Sequence, residues 1–207
     1  MTRRRRNKGW MHERARDPFV KRAHAEGYRT RAVYKLAEID ERYHILRPGQ
    51  TVVDLGAAPG GWSQYARQKV GAHGRVLAVD RLAMTAPAGV ECICGDIADP
   101  AVLDLVLGRL AGSAVNLVIS DMAPNISGER VSDQAKSMEL GAQALEFAAA
   151  VLTPGGQLLL KVFQGEGLAE LRDALRRHFE RDISCKPRAS RTRSREAYLL
   201  GKGFQHA

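Results

Sequence analysis

From residue 51 onward the chain alternates between short apolar runs and longer stretches whose apolar residues recur at helical spacing. Thr51–Leu55, Arg75–Val79, Val90–Cys94, Val115–Ser120 and Gln157–Phe163 are almost continuous in apolar residues. Continuous runs of this length belong to strands buried on both faces, as in a parallel sheet. Between them lie predicted helices at about Gly61–Val70, Ala101–Leu110, Ser132–Leu152 and Gly167–His178. This repetition predicts an α/β doubly wound sheet with right-handed crossovers and helices on both faces. Phe179–Lys186 and Arg195–Phe204 break the rhythm, because no helix separates them. They predict two strands joined by a hairpin-like connection, so a mostly parallel sheet ends with a C-terminal antiparallel strand.

Ahead of the first strand, Thr30–Leu46 reads as an amphipathic helix with Ala32, Leu36, Ile39 and Tyr43 on one stripe, and Pro48-Gly49 ends it. No Ser- or Gly-rich linker and no internal repeat divides the 207 residues. One domain is expected over residues 30–207, preceded by a basic extension over residues 1–29. No apolar run approaches the roughly 20 residues of a membrane span, so no membrane partner is expected. Trp10-Met11-His12-Glu13 stands where a secretory signal would have its apolar core. Three cysteines are too few and too scattered for a disulfide framework. Cys92 and Cys94 are two apart in an apolar run and read as small reduced core residues, so a cytoplasmic location is expected. The six histidines show no ligand spacing with the cysteines, and no metal is expected.

Charge is distributed unevenly. Residues 1–35 hold 12 Lys/Arg against 3 Asp/Glu, residues 176–202 hold 9 against 3, and the stretch between holds 11 against 17. The run Arg3–Arg6 alone could be a solvated tail. Two basic clusters about 150 residues apart, flanking an acidic body, point instead to a polyanion held by phosphate contacts.

The turn after the first strand, Asp54-Leu55-Gly56-Ala57-Ala58-Pro59-Gly60-Gly61-Trp62, is rich in small residues that let backbone amides approach a ligand. It is neither the GxGxxG of a dinucleotide fold nor a phosphate loop, since no Gly-Lys-Ser/Thr follows. Asp80 ends the second strand, 24 positions after Gly56, where such folds place a carboxylate for ribose hydroxyls. Asp96 ends the third strand beside the same crevice and could accept from an adenine amino group. Each could merely cap the next turn, but both at successive strand ends fit an adenosine ligand without phosphates. S-adenosyl-L-methionine is such a ligand, and its positive sulfonium suits an acidic crevice.

Five blocks then carry a resemblance: Tyr28–Leu36, Asp54–Trp62, Asp121-Met122-Ala123-Pro124-Asn125, Leu160–Gly165, and Lys186–Arg191 with Ser194–Tyr198. In their residues and order the chain resembles the FtsJ/RrmJ family of ribosomal RNA 2′-O-ribose methyltransferases, of the bacterial large-subunit type. The resemblance implies a Rossmann-like S-adenosylmethionine methyltransferase fold. It also implies a Lys-Asp-Lys-Glu catalytic tetrad, which falls on Lys35, Asp121, Lys161 and Glu196. Cofactor contacts are implied at Gly60, Trp62, Asp80, Asp96 and Asp121. The implied substrate is a uridine ribose of 23S rRNA in the assembled 50S subunit, not DNA, and a monomer is expected.

The residues support parts of this independently. Lys161 interrupts Leu158-Leu159-Leu160 and Val162-Phe163, an odd place for a charge unless it snorkels to an edge. A lysine amine is ordinarily protonated at neutral pH. Burial, a neighbouring Lys35 and the sulfonium would favour a neutral Lys161, and Asp121 would oppose them; the sequence leaves that balance open. Lys161 is expected to deprotonate or steer the 2′-hydroxyl, with Asp121 and Glu196 orienting it and Lys35 fixing RNA or tuning Lys161. The front arm and the loop Lys186–Arg195 are the expected RNA grips. Trp10, Tyr28 and Tyr34 are available for base stacking, although core packing is the simpler reading of them. Rival readings are an amino-group methyltransferase, suggested by Asp121-Met122-Ala123-Pro124, a base-carbon methyltransferase using a cysteine, a transfer-RNA or cap 2′-O-methyltransferase, and a non-catalytic RNA-binding assembly factor.

Overall fold

The computed structural model describes residues 17–191 and 193–205. Arg3–Arg6 and Trp10 lie outside the described residues. The elements are α1 (Pro18–Ala25), α2 (Val33–Tyr43), β1 (Thr51–Leu55), α3 (Gly61–Val70), β2 (Arg75–Asp80), β3 (Glu91–Cys94), α4 (Pro100–Leu110), β4 (Val115–Ser120), α5 (Arg130–Val151), β5 (Leu152–Phe163), α6 (Leu168–His178), β6 (Phe179–Cys185) and β7 (Glu196–Phe204).

The strands form one seven-stranded sheet in the order β3-β2-β1-β4-β5-β7-β6. β1 to β5 run parallel, and β7 is antiparallel to both of its neighbours. The antiparallel strand therefore sits one place inside the edge, inserted between β5 and β6. This gives it two neighbours, which is why Ala197, Tyr198, Leu199 and Leu200 are all fully buried.

Alternate residues of the central strands feed two cores. One face buries Val53, Leu55, Leu158, Leu160 and Leu199 against α4, α5 and α6. The other buries Val52, Leu117, Leu159, Tyr198 and Leu200 against α1, α2 and α3. Full burial of a leucine-sized side chain stabilises by about 1.5–3 kcal/mol, and both faces carry several. Helix α1 starts on an Asp17 cap whose side chain accepts from the Phe19 amide, with Pro18 in the first turn. Its Ala23 is buried in the second core, with Phe19 and Tyr28 packed against it. The described part of the basic extension is therefore folded onto the body.

Cys92 and Cys185 are half-buried and Cys94 is exposed, which corrects the expectation of core cysteines. β3 is an edge strand, and only Ile93 of its four residues is buried. Among the described residues no group of three or more His, Cys, Asp or Glu could hold a metal ion. No described helix is long and apolar enough to cross a membrane.

Candidate active site

The strand order reverses between β1 and β4, and there a cavity of about 750 Å³ opens at the carboxyl ends of β1 to β4. Parallel sheets bind ligands at such points, because the loops on either side diverge to opposite faces. Gly56 lets the two loops approach: its φ is +71°, and a Cβ there would lie 2.5 Å from Met122 Cγ. Gly60 takes φ +102° as the N-cap of α3.

Asp80 and Asp96 both line the cavity. Asp80 Oδ2 accepts from the Ala58 amide at 2.8 Å and Oδ1 from the Leu82 amide at 2.7 Å. Asp96 Oδ1 accepts from the Ala98 amide at 3.0 Å, and its Oδ2 is 3.4 Å from Arg81 Nε. Each carboxylate thus shapes its own loop while keeping further lone pairs for a ligand. The charged lining is Asp80, Asp96, Asp121 and Glu139 against Arg81 and Lys136, an acidic balance with no cluster of cations for a phosphate. Gly60 and Trp62 do not line this cavity. Trp62 is buried, donates Nε1–H to the Ala32 carbonyl at 2.8 Å, and packs 5.8 Å from the Tyr198 ring.

Asp121 joins this cavity to a second cluster. Lys161 Nζ donates to the Asp121 carbonyl at 2.5 Å and lies 3.1 Å from its Oδ1, and the Lys161 side chain is only 6% exposed. The lysine therefore does not snorkel. Tyr198 donates its hydroxyl to the same Asp121 Oδ1 at 2.8 Å. Lys35 on α2 pairs with Glu196 at 2.9 Å, and its Nζ is 5.8 Å from the Tyr198 ring centroid. Sheet register explains the assembly: Lys161 faces Tyr198 and Phe163 faces Glu196 across β5 and β7, so the lysine, tyrosine and glutamate share one face. α2 packs on that face and supplies Lys35. The structure thus gathers Lys35, Asp121, Lys161 and Glu196 around Tyr198.

Two members of the site were not singled out from the sequence. Tyr198 lies within the apolar run Ala197–Leu200 and reads as core there. The available signal was its hydroxyl, which needs a partner once buried. Burial, with Asp121 and Glu196 nearby, pushes that hydroxyl well above the ordinary tyrosine range. Asp54, fully buried on β1, is the other. Its Oδ2 accepts from the Ser63 hydroxyl at 2.5 Å, which ties β1 to the first turn of α3. Among the described residues its Oδ1 has no hydrogen-bond partner. Burial pushes its carboxyl up to about 7, with Asp121 and Asp80 adding to the rise and Ser63 opposing it.

Residues 28–204 match the model of the FtsJ-like methyltransferase family. The chain belongs to that family. Among FtsJ-like relatives, the ribosomal RNA large subunit methyltransferase E of Azoarcus sp. (strain BH72) is 57% identical over 97% of this chain and 98% of its own length. The protein of the same description from Alkalilimnicola ehrlichii is 53% identical over 99% of both chains. In three dimensions the chain is similar to a Plasmodium falciparum protein described as a ribosomal RNA methyltransferase, with TM-score 0.78, 27% identity, and 86% and 98% of the two chains covered. Aeropyrum pernix fibrillarin, crystallised with natively bound S-adenosyl-L-methionine, shares the fold at TM-score 0.57 and 17% identity over 82% and 75% of the chains.

Proposed function

We propose that this chain transfers the methyl group of S-adenosyl-L-methionine to the ribose 2′-hydroxyl of a uridine in 23S rRNA, within the assembled 50S subunit, acting as a cytoplasmic monomer. One observation carries the reading: Asp121 lines the acidic cavity and also holds the buried Lys161. The ligand site and the only buried lysine among the described residues are thereby one unit.

The cavity suits the cofactor. Asp80 and Asp96 would hold the ribose and adenine, and the acidic lining would favour a cationic sulfonium. Gly60 caps α3 and its amide already donates to the Ala57 carbonyl at 2.6 Å, so it would contribute by shaping the turn, while Trp62 stands on the first turn, whose amides suit a carboxylate. Bound there, S-adenosyl-L-methionine supplies an electrophilic methyl group.

The chain's own residues would handle the hydroxyl. Lys161 Nζ spends two of its three positions on Asp121, leaving one to steer the 2′-hydroxyl oxygen or to take its proton. Tyr198 fixes the Asp121 carboxylate from the opposite strand. The Lys35–Glu196 pair closes the other side, where RNA would enter past the basic loop. Lys186, Arg188 and Arg191 are exposed on that loop and would take phosphates. Tyr34 is buried against Phe19 and donates to Glu26, so among the described aromatics Tyr28 is the better placed to stack a base.

Transfer of labelled methyl from S-adenosyl-L-methionine to 50S subunits, free rRNA and transfer RNA, followed by nucleoside analysis, tests the reading. A 2′-O-methyluridine from 50S subunits is expected. Label in a base would remove the ribose assignment, and label in transfer RNA alone would change the substrate.

A further inference from the structure

The loop between β6 and β7 carries its basic side chains outward and its small ones inward. Lys186, Arg188, Arg191 and Arg193 are exposed, whereas Pro187, Ala189 and Ser190 are buried. A loop with five cations, Arg195 included, and no strand pairing repels itself and would spread unless held. It is held by one face of α2 and the turn before it. Glu38 Oε1 accepts from the Arg188 amide at 3.0 Å and Oε2 from the Ala189 amide at 3.3 Å. Arg31 donates to the Ala189 carbonyl and to the Asp17 carboxylate. One turn from Glu38, Lys35 takes Glu196 at the far end of the same loop. The helix that brings Lys35 to the tetrad therefore also grips the loop in its first half.

We propose that Glu38 and Arg31 are positioning residues that hold the basic loop in the shape that binds the RNA substrate. The inference rests on the reading of the substrate as RNA. Glu38 touches neither the cavity nor the tetrad; it acts through the two amides it accepts from. Its sign makes it diagnostic. A carboxylate beneath a polyanion-binding surface opposes binding by charge alone, so removing it should tighten RNA binding if charge were its only influence. A positioning role predicts the reverse. Arg31 cannot separate the two, since its loss removes a cation as well as a clasp.

The test uses the full chain, with Glu38→Ala and Glu38→Gln beside wild type, and 50S subunits or 23S rRNA as probe. For Glu38→Ala, KM for RNA should rise about tenfold, the equivalent of one charge-assisted hydrogen bond. Its kcat should stay within about threefold, and calorimetric affinity for S-adenosyl-L-methionine within about twofold, because neither site is touched. The slope of RNA affinity against salt should become shallower by about one or more as phosphate contacts are lost. Amide hydrogen exchange at Arg188 and Ala189 should speed up. Glu38→Gln keeps an acceptor and should fall between wild type and Glu38→Ala; it carries the test if Glu38→Ala does not fold. An RNA KM unchanged or lowered in the folded variants would overturn the proposal. A wild-type chain that transfers no methyl to RNA would instead remove the reading beneath it.

Discussion

Lys161 and Tyr198 stand directly opposite each other on antiparallel β5 and β7, and both reach the same oxygen of Asp121. A buried lysine and a buried phenol thus clamp one carboxylate from two strands, at the edge of the ligand cavity. Removing the phenol alone tests what the clamp is for. Tyr198→Phe keeps the ring against Trp62 and deletes only the donor. A hydrogen bond to a charged group contributes about 1.5–3 kcal/mol, so kcat should fall roughly tenfold or more. RNA KM and cofactor affinity should hardly change. Unchanged kcat in a single-turnover methylation assay would mean that Lys161 alone orients Asp121.

Lys161→Ala removes the group proposed to handle the hydroxyl proton. A positioned acid or base contributes about 10²–10⁴-fold, and methyl transfer to 50S subunits should drop by at least that lower bound. A variant that kept more than about a tenth of the wild-type rate would exclude Lys161 from that role. The charge deletion also leaves Asp121 with Tyr198 as its remaining side-chain donor, so some loss of thermal stability should accompany the loss of rate.

The backbone turn at the cavity offers a separate prediction. Gly56 has φ +71°, and a Cβ would sit 2.5 Å from Met122 Cγ and 3.1 Å from the Met122 backbone. Gly56→Ala must therefore strain its own backbone, at about 1–2 kcal/mol, and push the β4 loop outward. Cofactor affinity measured by calorimetry should fall at least about tenfold. Wild-type affinity in this variant would show that the cofactor does not lie between the β1 and β4 loops.

The alternation of buried strands and helices was legible because a strand covered on both faces needs a continuous apolar run. Thr51–Leu55, Gly61–Val70 and Val115–Ser120 have the bounds that their patterns predict. Helix α1 was missed because it is only eight residues long and buries only Ala23, although Asp17-Pro18 is a recognisable helix start. β5 begins at Leu152 and runs through Pro154-Gly155-Gly156, residues that ordinarily punctuate; a register shift on β4 accommodates them. Neither the insertion of β7 between β5 and β6 nor the Lys161–Tyr198 register is a periodic property, so no pattern along the chain encodes them. The grouping of Lys35, Asp121, Lys161 and Glu196 was legible only through the family resemblance. Lys35 and Glu196 taken singly look like surface charges, and it is the fold that pairs them at 2.9 Å.

Asp54 makes the stability of the fold depend on pH in the direction opposite to a typical salt-bridged carboxylate. Buried on β1, its carboxyl is pushed up to about 7, whereas in the unfolded chain an aspartate titrates near ~3.9. Below about pH 4 both states are protonated, and Asp54 makes no difference between them. Between about pH 4 and 7 the unfolded chain has released its proton and the folded chain has not, so stability falls as pH rises. Above about 7 both are ionised and the penalty is constant. Asp54→Asn removes the titration while keeping an acceptor for the Ser63 hydroxyl. Its stability in urea should therefore gain on wild type steadily from pH 4 to 7, by a few kcal/mol at most, and run parallel to it above. The gain follows from sign alone, because the variant cannot be charged where the wild-type carboxyl must be. If the two curves ran parallel throughout, or if wild type gained on the variant as pH rose, Asp54 would be ionised in the folded chain and the Ser63 bond would outweigh its burial.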